Sequence, residues 1–187
     1  MGRLIRRYNS TLYGNYRKAY LVGGIITGVV MSIFLLLNSV FAAQPMSAPE
    51  NYLTELILLI GILITSYLYR KQLPDEKVSL KELMLVGLGV GVISGLVFGL
   101  IIWFSCSHFS QNLVGFYNQE RIKLMDDPQS SAEAKLAVET VKKYTAGDWG
   151  FIAGFRSAVM SIIITFFTAL VLRTEKSPVM EKRVKQK

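Results

Sequence analysis

Two charges stand inside otherwise apolar stretches of this chain, and they are the first candidates for chemistry. Arg156 interrupts an uncharged run from Trp149 to Leu172, and Glu55 interrupts one from Leu53 to Tyr69. A guanidinium keeps its proton in a protein and demands an anion or water. Placing one in hydrocarbon costs ~3 kcal/mol on insertion scales. Three arrangements answer that demand. Arg156 snorkels to the headgroups while Glu55 sits wet at the interface. Or the two pair, with Asn38 as a third polar group at a similar depth. Or Arg156 contacts an anionic group such as a lipid phosphate.

Other reactive side chains are sparse. Cys106 is the only cysteine and His108 the only histidine. Two residues apart on a helix, they point away from each other, so no joint site is expected. No H-E-x-x-H, phosphate loop or nucleophile elbow is present, and no metal-ligand spacing. Gly87-Leu88-Gly89-Val90-Gly91 lacks the G-x-G-x-x-G spacing, follows no strand and lies inside an apolar run. No catalytic, cofactor-binding or metal-binding residues are therefore expected, and the reading is non-enzymatic.

The elements that position these residues follow from hydropathy. Of 187 residues, 51% are hydrophobic and only 18% charged, against about a quarter charged in soluble domains; mean hydropathy is +0.38. The excess falls into blocks near the ~20 residues that span a ~30 Å hydrocarbon core. They predict an all-α integral membrane protein with four transmembrane helices, about 20–42, 53–69, 83–104 and 149–172. A basic arm, 1–18, precedes them and a basic tail, 173–187, follows. Val40-Phe41-Ala42 resembles a signal-peptide cleavage site, but the long basic region and long apolar run favour a retained first helix. Ala43-Gln44-Pro45 through Pro49 reads as a tight hairpin. Ser79 and Glu82 have the spacing of a capping box.

Basic residues set the orientation. Arg3, Arg6, Arg7, Arg17 and Lys18 lie in the arm, Arg70, Lys71, Lys77 and Lys81 in the second loop, and Arg173, Lys176, Lys182, Arg183, Lys185 and Lys187 in the tail. The first loop has none and the third has Arg121, Lys123, Lys135, Lys142 and Lys143. By the positive-inside rule both termini are cytoplasmic. Tyr67 and Tyr69 are expected at the inner interface, Trp103 and Trp149 at the outer one. The net charge of +8 is thus an orientation signal, helped by anionic lipid, and nucleic acid is not an expected partner.

The third loop, 105–148, is read as an outer amphipathic helical hairpin. Phe109, Leu113, Phe116, Tyr117 and Leu124 would extend the third span outward until Asp126-Asp127-Pro128 stops it. Ser130 to Glu133 would cap a second helix presenting Ala134, Ala137, Val141 and Tyr144 on one face, with Gly147 ending it. A piece this short has no core of its own and must lean on the bundle, the membrane or a partner.

Glycines form the strongest pattern. Gly87, Gly91, Gly95 and Gly99 repeat every four residues; Gly24, Gly28 and Ser32 make a similar row, as do Gly150, Gly154 and Ala158. Small residues on one face let helix backbones approach where lipid offers no hydrophobic drive. Either the rows pack the four helices on one another, or one is left for a homo-oligomer or another membrane protein.

The chain resembles a family of uncharacterised four-span membrane proteins found in Bacteroidetes, classed as a domain of unknown function. The resemblance runs from about Tyr20 to Arg173. It rests on Tyr69-Arg70-Lys71, on Val78-Ser79-Leu80-Lys81-Glu82-Leu83, and on Glu133 with Val141-Lys142-Lys143-Tyr144 before a glycine-rich fourth span. Where the family usually has a glutamate-alanine pair, this chain has Glu82-Leu83. The resemblance implies an inner-membrane protein of a Gram-negative bacterium and carries over no functional residues. Two functions stay open: an accessory or assembly subunit of a membrane complex, or a small transporter or flippase-like protein contacting an anionic lipid headgroup through Arg156.

Overall fold

A backbone taken out of water must satisfy its own hydrogen bonds, and a helix does so within one segment. A computed structural model describes residues 15–41, 52–73, 77–108, 111–123, 125 and 132–173, without the side chains of 38–41 and 111–112. Among the described residues the regular structure is helical: α1 Tyr16–Phe41, α2 Tyr52–Lys71, α3 Leu80–His108, α4 Gln111–Lys123, α5 Ala132–Lys142 and α6 Ala146–Leu172. The four long helices, α1, α2, α3 and α6, are each long and apolar enough to cross a membrane. At 1.5 Å per residue, the 20 residues of α2 and the 29 of α3 measure ~30 and ~43 Å.

Polar residues mark where the helices start. Glu82 N–H donates to Ser79 Oγ at 3.3 Å and Ser79 N–H to Glu82 Oε2 at 3.1 Å, the expected capping box of α3. Arg17 and Lys18, assigned to the arm, already lie in the first turn of α1.

The four long helices close into a bundle with α3 at its centre. α3 packs most heavily on α6 and α1, and α2 lies against α1, α6 and α3. The glycine rows set these approaches. Gly24 faces Val90 and Ile93, and Gly28 faces Ser94 and Val97, so α1 and α3 run parallel. Gly87 faces Thr165, Gly91 faces Ser161, Gly95 faces the Gly154 carbonyl and Gly99 the Gly150 carbonyl, so α3 and α6 run antiparallel. A Cβ at Gly95 or Gly99 would stand 2.6 Å from those oxygens, which is too close for any real side chain. Gly150 and Gly154 press back on Gly99 and Gly95. These rows thus lie between helices of one chain.

Small hydroxyls share the same seams. Thr27, Ser32, Thr65, Ser94, Ser157, Ser161 and Thr165 are buried, while Leu96, Leu100, Phe151, Phe155, Ile162 and Val171 are exposed. Ser32 Oγ–H donates to the Gly28 carbonyl at 2.7 Å and Ser157 Oγ–H to Ala153 at 2.9 Å. Each hydroxyl so bonded adds little volume and carries its own acceptor, which lets the backbones stay close.

The aqueous side departs from expectation in part. α3 is described to His108 and α4 from Gln111; the expected run-on of the third span falls on residues 109–110, outside the described residues. Gly147 does not end α5, which closes at Lys142; it lies in the first turn of α6. The reason is a capping box not anticipated from sequence. Thr145 N–H donates to Asp148 Oδ2 at 2.8 Å and Asp148 N–H to Thr145 Oγ1 at 3.5 Å, starting α6 ahead of Trp149. Trp149 and Tyr69, expected at the level of the outer and inner interfaces, are packed into the bundle, 0% and 3% exposed, while Trp103 and Tyr67 remain on the surface. Apolarity attracts an aromatic ring to protein interior and to lipid alike. The hairpin at 43–49, Phe109, Leu124, Asp126 to Pro128, Ser130, Ser131, the arm up to Gly14 and the tail beyond Arg173 lie outside the described residues.

Candidate functional site

The parallel arrangement of α2 and α6 follows from the antiparallel contacts each makes with its neighbours. It brings the first turn of α2 beside the Arg156 turn of α6. Arg156 donates from Nε to Glu55 Oε1 at 2.8 Å and from Nη2 to the same oxygen at 2.5 Å. The Glu55 side chain is 16% exposed and that of Arg156 32%. Glu55 also occupies the α2 N-terminus, where the helix dipole favours a carboxylate. The pair joins residues 101 positions apart in sequence and cancels both charges within the bundle. Asn38 belongs to α1, but its side chain lies outside the described residues.

At the other end of the same helix pair, Arg70 Nη1 donates to the Leu172 carbonyl at 3.5 Å. Cations at a helix C-terminus supply donors to its last carbonyls and oppose the dipole. α2 is therefore tied to α6 near both ends. Nothing in the sequence pairs Arg70 with Leu172.

A third polar cluster holds the α4–α5 hairpin. Trp149 donates its indole N–H to Asn118 Oδ1 at 2.7 Å, and Asn118 Nδ2 donates to the carbonyls of Lys142 and Tyr144, each at 3.4 Å. Tyr117 and Tyr144 pack on the Trp149 ring at centroid distances of 5.5 and 5.7 Å, the latter edge-on. Asn118 thus gathers α4, the end of α5 and the start of α6 around one buried indole. Its significance was not visible in sequence, since an asparagine on a polar helix looks like any solvated side chain.

Cys106 and His108 stay apart. Cys106 is buried, whereas His108 is exposed, stacked on Phe104 at 4.5 Å and within 3.3 Å of its carbonyl. Among the described residues no three His, Cys, Asp or Glu side chains are grouped to hold a metal ion.

Residues 23–174 match the family described as "Protein of unknown function (DUF4199)". The chain belongs to this family. The match takes in most of α1 and all of α2 to α6, so the bundle, the ion pair and the hairpin all fall within the family's domain. No curated protein and no solved structure matches the chain.

Proposed function

We propose that this protein is a non-enzymatic, multi-pass subunit of the bacterial inner membrane that assists or assembles a membrane complex. The observation that carries this reading is the Asn118 clamp. It fixes the hairpin to α6, so α5 presents Glu133, Lys135, Leu136 and Glu139, all exposed, from a rigid base. The glycine rows and the Glu55–Arg156 pair support it too, because both are engaged within the chain and serve a scaffold. The cationic arm, second loop and tail support cytoplasmic termini, with the hairpin on the outer side and the lipid bilayer as the constant partner. Occupants other than another membrane protein, such as a second copy, belong to the same reading.

A second reading rests on the exposure that Arg156 retains while paired. A small transporter or flippase-like protein would use that face for a lipid phosphate. Purification of the tagged full chain from native membranes, with mass spectrometry, separates the two. A stoichiometric membrane protein, lost on Leu136→Glu while the variant still melts cooperatively, supports the first. A phospholipid lost on Arg156→Leu, with no protein partner, overturns it in favour of the second.

A further inference from the structure

At the end of the bundle away from the α4–α5 hairpin, α1 and α3 start and α2 and α6 finish. Ala19, Tyr69, Val78, Leu80 and Leu172 pack there in one apolar cluster drawn from all four helices. Each has a cation as its chain neighbour: Lys18, Arg70, Lys77, Lys81 and Arg173. The segments that begin or finish at this face are 1–18, 70–82 and 173–187. They hold 15 of the chain's 21 Lys and Arg but only five of its 13 Asp and Glu. The face therefore stays strongly positive however its own ion pairs form.

Two of these cations flank a single seam. Gly23 faces Thr65 and Gly61 faces Thr27, so α1 and α2 are antiparallel in a register that sets Arg17 level with Lys71. Axes of packed helices lie ~8–10 Å apart, which lets two long side chains reach one small group. Both residues are exposed, and each is held by a tyrosine. The Arg17 guanidinium lies 5.8 Å over the Tyr16 ring and its Nε donates to Tyr16 Oη at 3.2 Å. Lys71 Nζ lies 5.8 Å from the Tyr67 ring. Within two turns into the span the surface is apolar, with Leu21, Ile25, Leu63 and Ile64 all exposed.

We propose that Arg17 and Lys71 bind the phosphate of an anionic phospholipid at the mouth of the α1–α2 seam. The site lies where lipid-facing apolar helix gives way to charge, so its occupant carries an anion on an apolar tail. A free anion gains nothing from the apolar surface below. A zwitterionic headgroup brings an ammonium, which this face repels; an anionic one brings only attraction. The tyrosines suit the same level, since their rings favour the membrane–water interface. The proposal needs only the four spans. It depends neither on the orientation nor on which of the two functions holds.

The test reconstitutes the full chain in phosphatidylcholine bilayers with trace spin-labelled phosphatidylglycerol or phosphatidylcholine of the same acyl chains. Electron paramagnetic resonance reads the fraction of each label slowed at the protein surface. The expected result is an excess of phosphatidylglycerol. Each Lys or Arg at an anionic surface is worth about fivefold in binding, so Arg17→Gln/Lys71→Gln should cut the preference severalfold. Both positions are exposed, and the variant should melt as the wild type does. Lys182→Gln/Lys185→Gln removes the same charge from the tail and should keep the preference. Arg156→Leu, near the other end, should keep it too. Excess inorganic phosphate at matched ionic strength should leave it unchanged. Equal retention of the two lipids by the wild type overturns the proposal, as does a preference that survives Arg17→Gln/Lys71→Gln. An equal loss in the tail variant means diffuse attraction, and displacement by inorganic phosphate means a free-anion site; either overturns it. So does a membrane protein that co-purifies with the wild type and is lost on Arg17→Gln/Lys71→Gln without any lipid preference, which would assign these cations to an acidic partner.

Discussion

Trp149 and Asn118 meet through one buried hydrogen bond of 2.7 Å. Removing the amide strands an indole N–H and two carbonyls, and a buried unsatisfied group costs ~1–3 kcal/mol. Asn118→Ala is expected to lower the detergent melting temperature and to speed proteolysis between α4 and α5. Trp149→Phe keeps a ring but loses the donor. The double variant should lose less than the two single losses combined, since both remove the same contact. Strict additivity would mean that the clamp does not hold the hairpin.

The glycines divide sharply by position. Gly91 faces Ser161 so closely that even a methyl group collides with its side chain, and overpacking costs ~1–3 kcal/mol. Gly91→Ala should therefore destabilise, and Ser161→Gly should recover part of the loss. Gly115, inside α4, has nothing within 4 Å of a new Cβ. There Gly115→Ala should stabilise by ~0.5–1 kcal/mol, the helix-interior difference between the two residues. Thermal melts of the three variants decide it; an unchanged Gly91→Ala would mean that the helices are not in contact at this point.

The ion pair is tested by a double-mutant cycle. Arg156→Leu and Glu55→Leu each remove one member of this part-buried pair, and breaking a pair held largely out of water costs more than removing both. The double variant is expected to regain part of the stability lost by either single change. Single losses within ~0.5 kcal/mol, the range of exposed surface changes, would show that solvent already carries both charges.

Thiol labelling checks the orientation. Cys106 is only 3% exposed, so a bulky impermeant maleimide should miss it until the protein is denatured. In a Cys106→Ala background, Lys135→Cys on α5 should react in cells with a permeabilised outer membrane. Lys77→Cys, exposed before α3, should react only after inner-membrane lysis. The reverse order would invert the proposed topology.

The four spans were readable from sequence because ~20 apolar residues have few stable alternatives in lipid. The glycine period showed which face of α3 would be close-packed, since spacing of four maps onto one face of a helix. It did not show which helix would fill that face; Gly95 and Gly154 are neighbours only through the fold. Glu55 and Arg156 were legible as candidates for the same depth, because one residue rises 1.5 Å, yet their adjacency required α2 and α6 to lie side by side. Thr145 was overlooked because Gly147, two residues on, looked like a terminator, and a glycine near an N-cap is uncommon but tolerated. The burial of Trp149 was not legible because hydropathy measures dislike of water without naming what replaces it.

The ties of α2 to α6, Glu55 to Arg156 near one end and Arg70 to Leu172 near the other, bear on how the protein meets bilayers of different thickness. A single helix answers a mismatch by tilting, at fractions of a kcal/mol per Å. Here the shortest span is fastened at two heights to a longer one, so it cannot lean alone without breaking a polar contact. The bundle must tip as one body, or the lipid must bend to meet it. The ~30 Å length of α2 is close to that of a typical hydrocarbon core, so little of either is expected in such a bilayer.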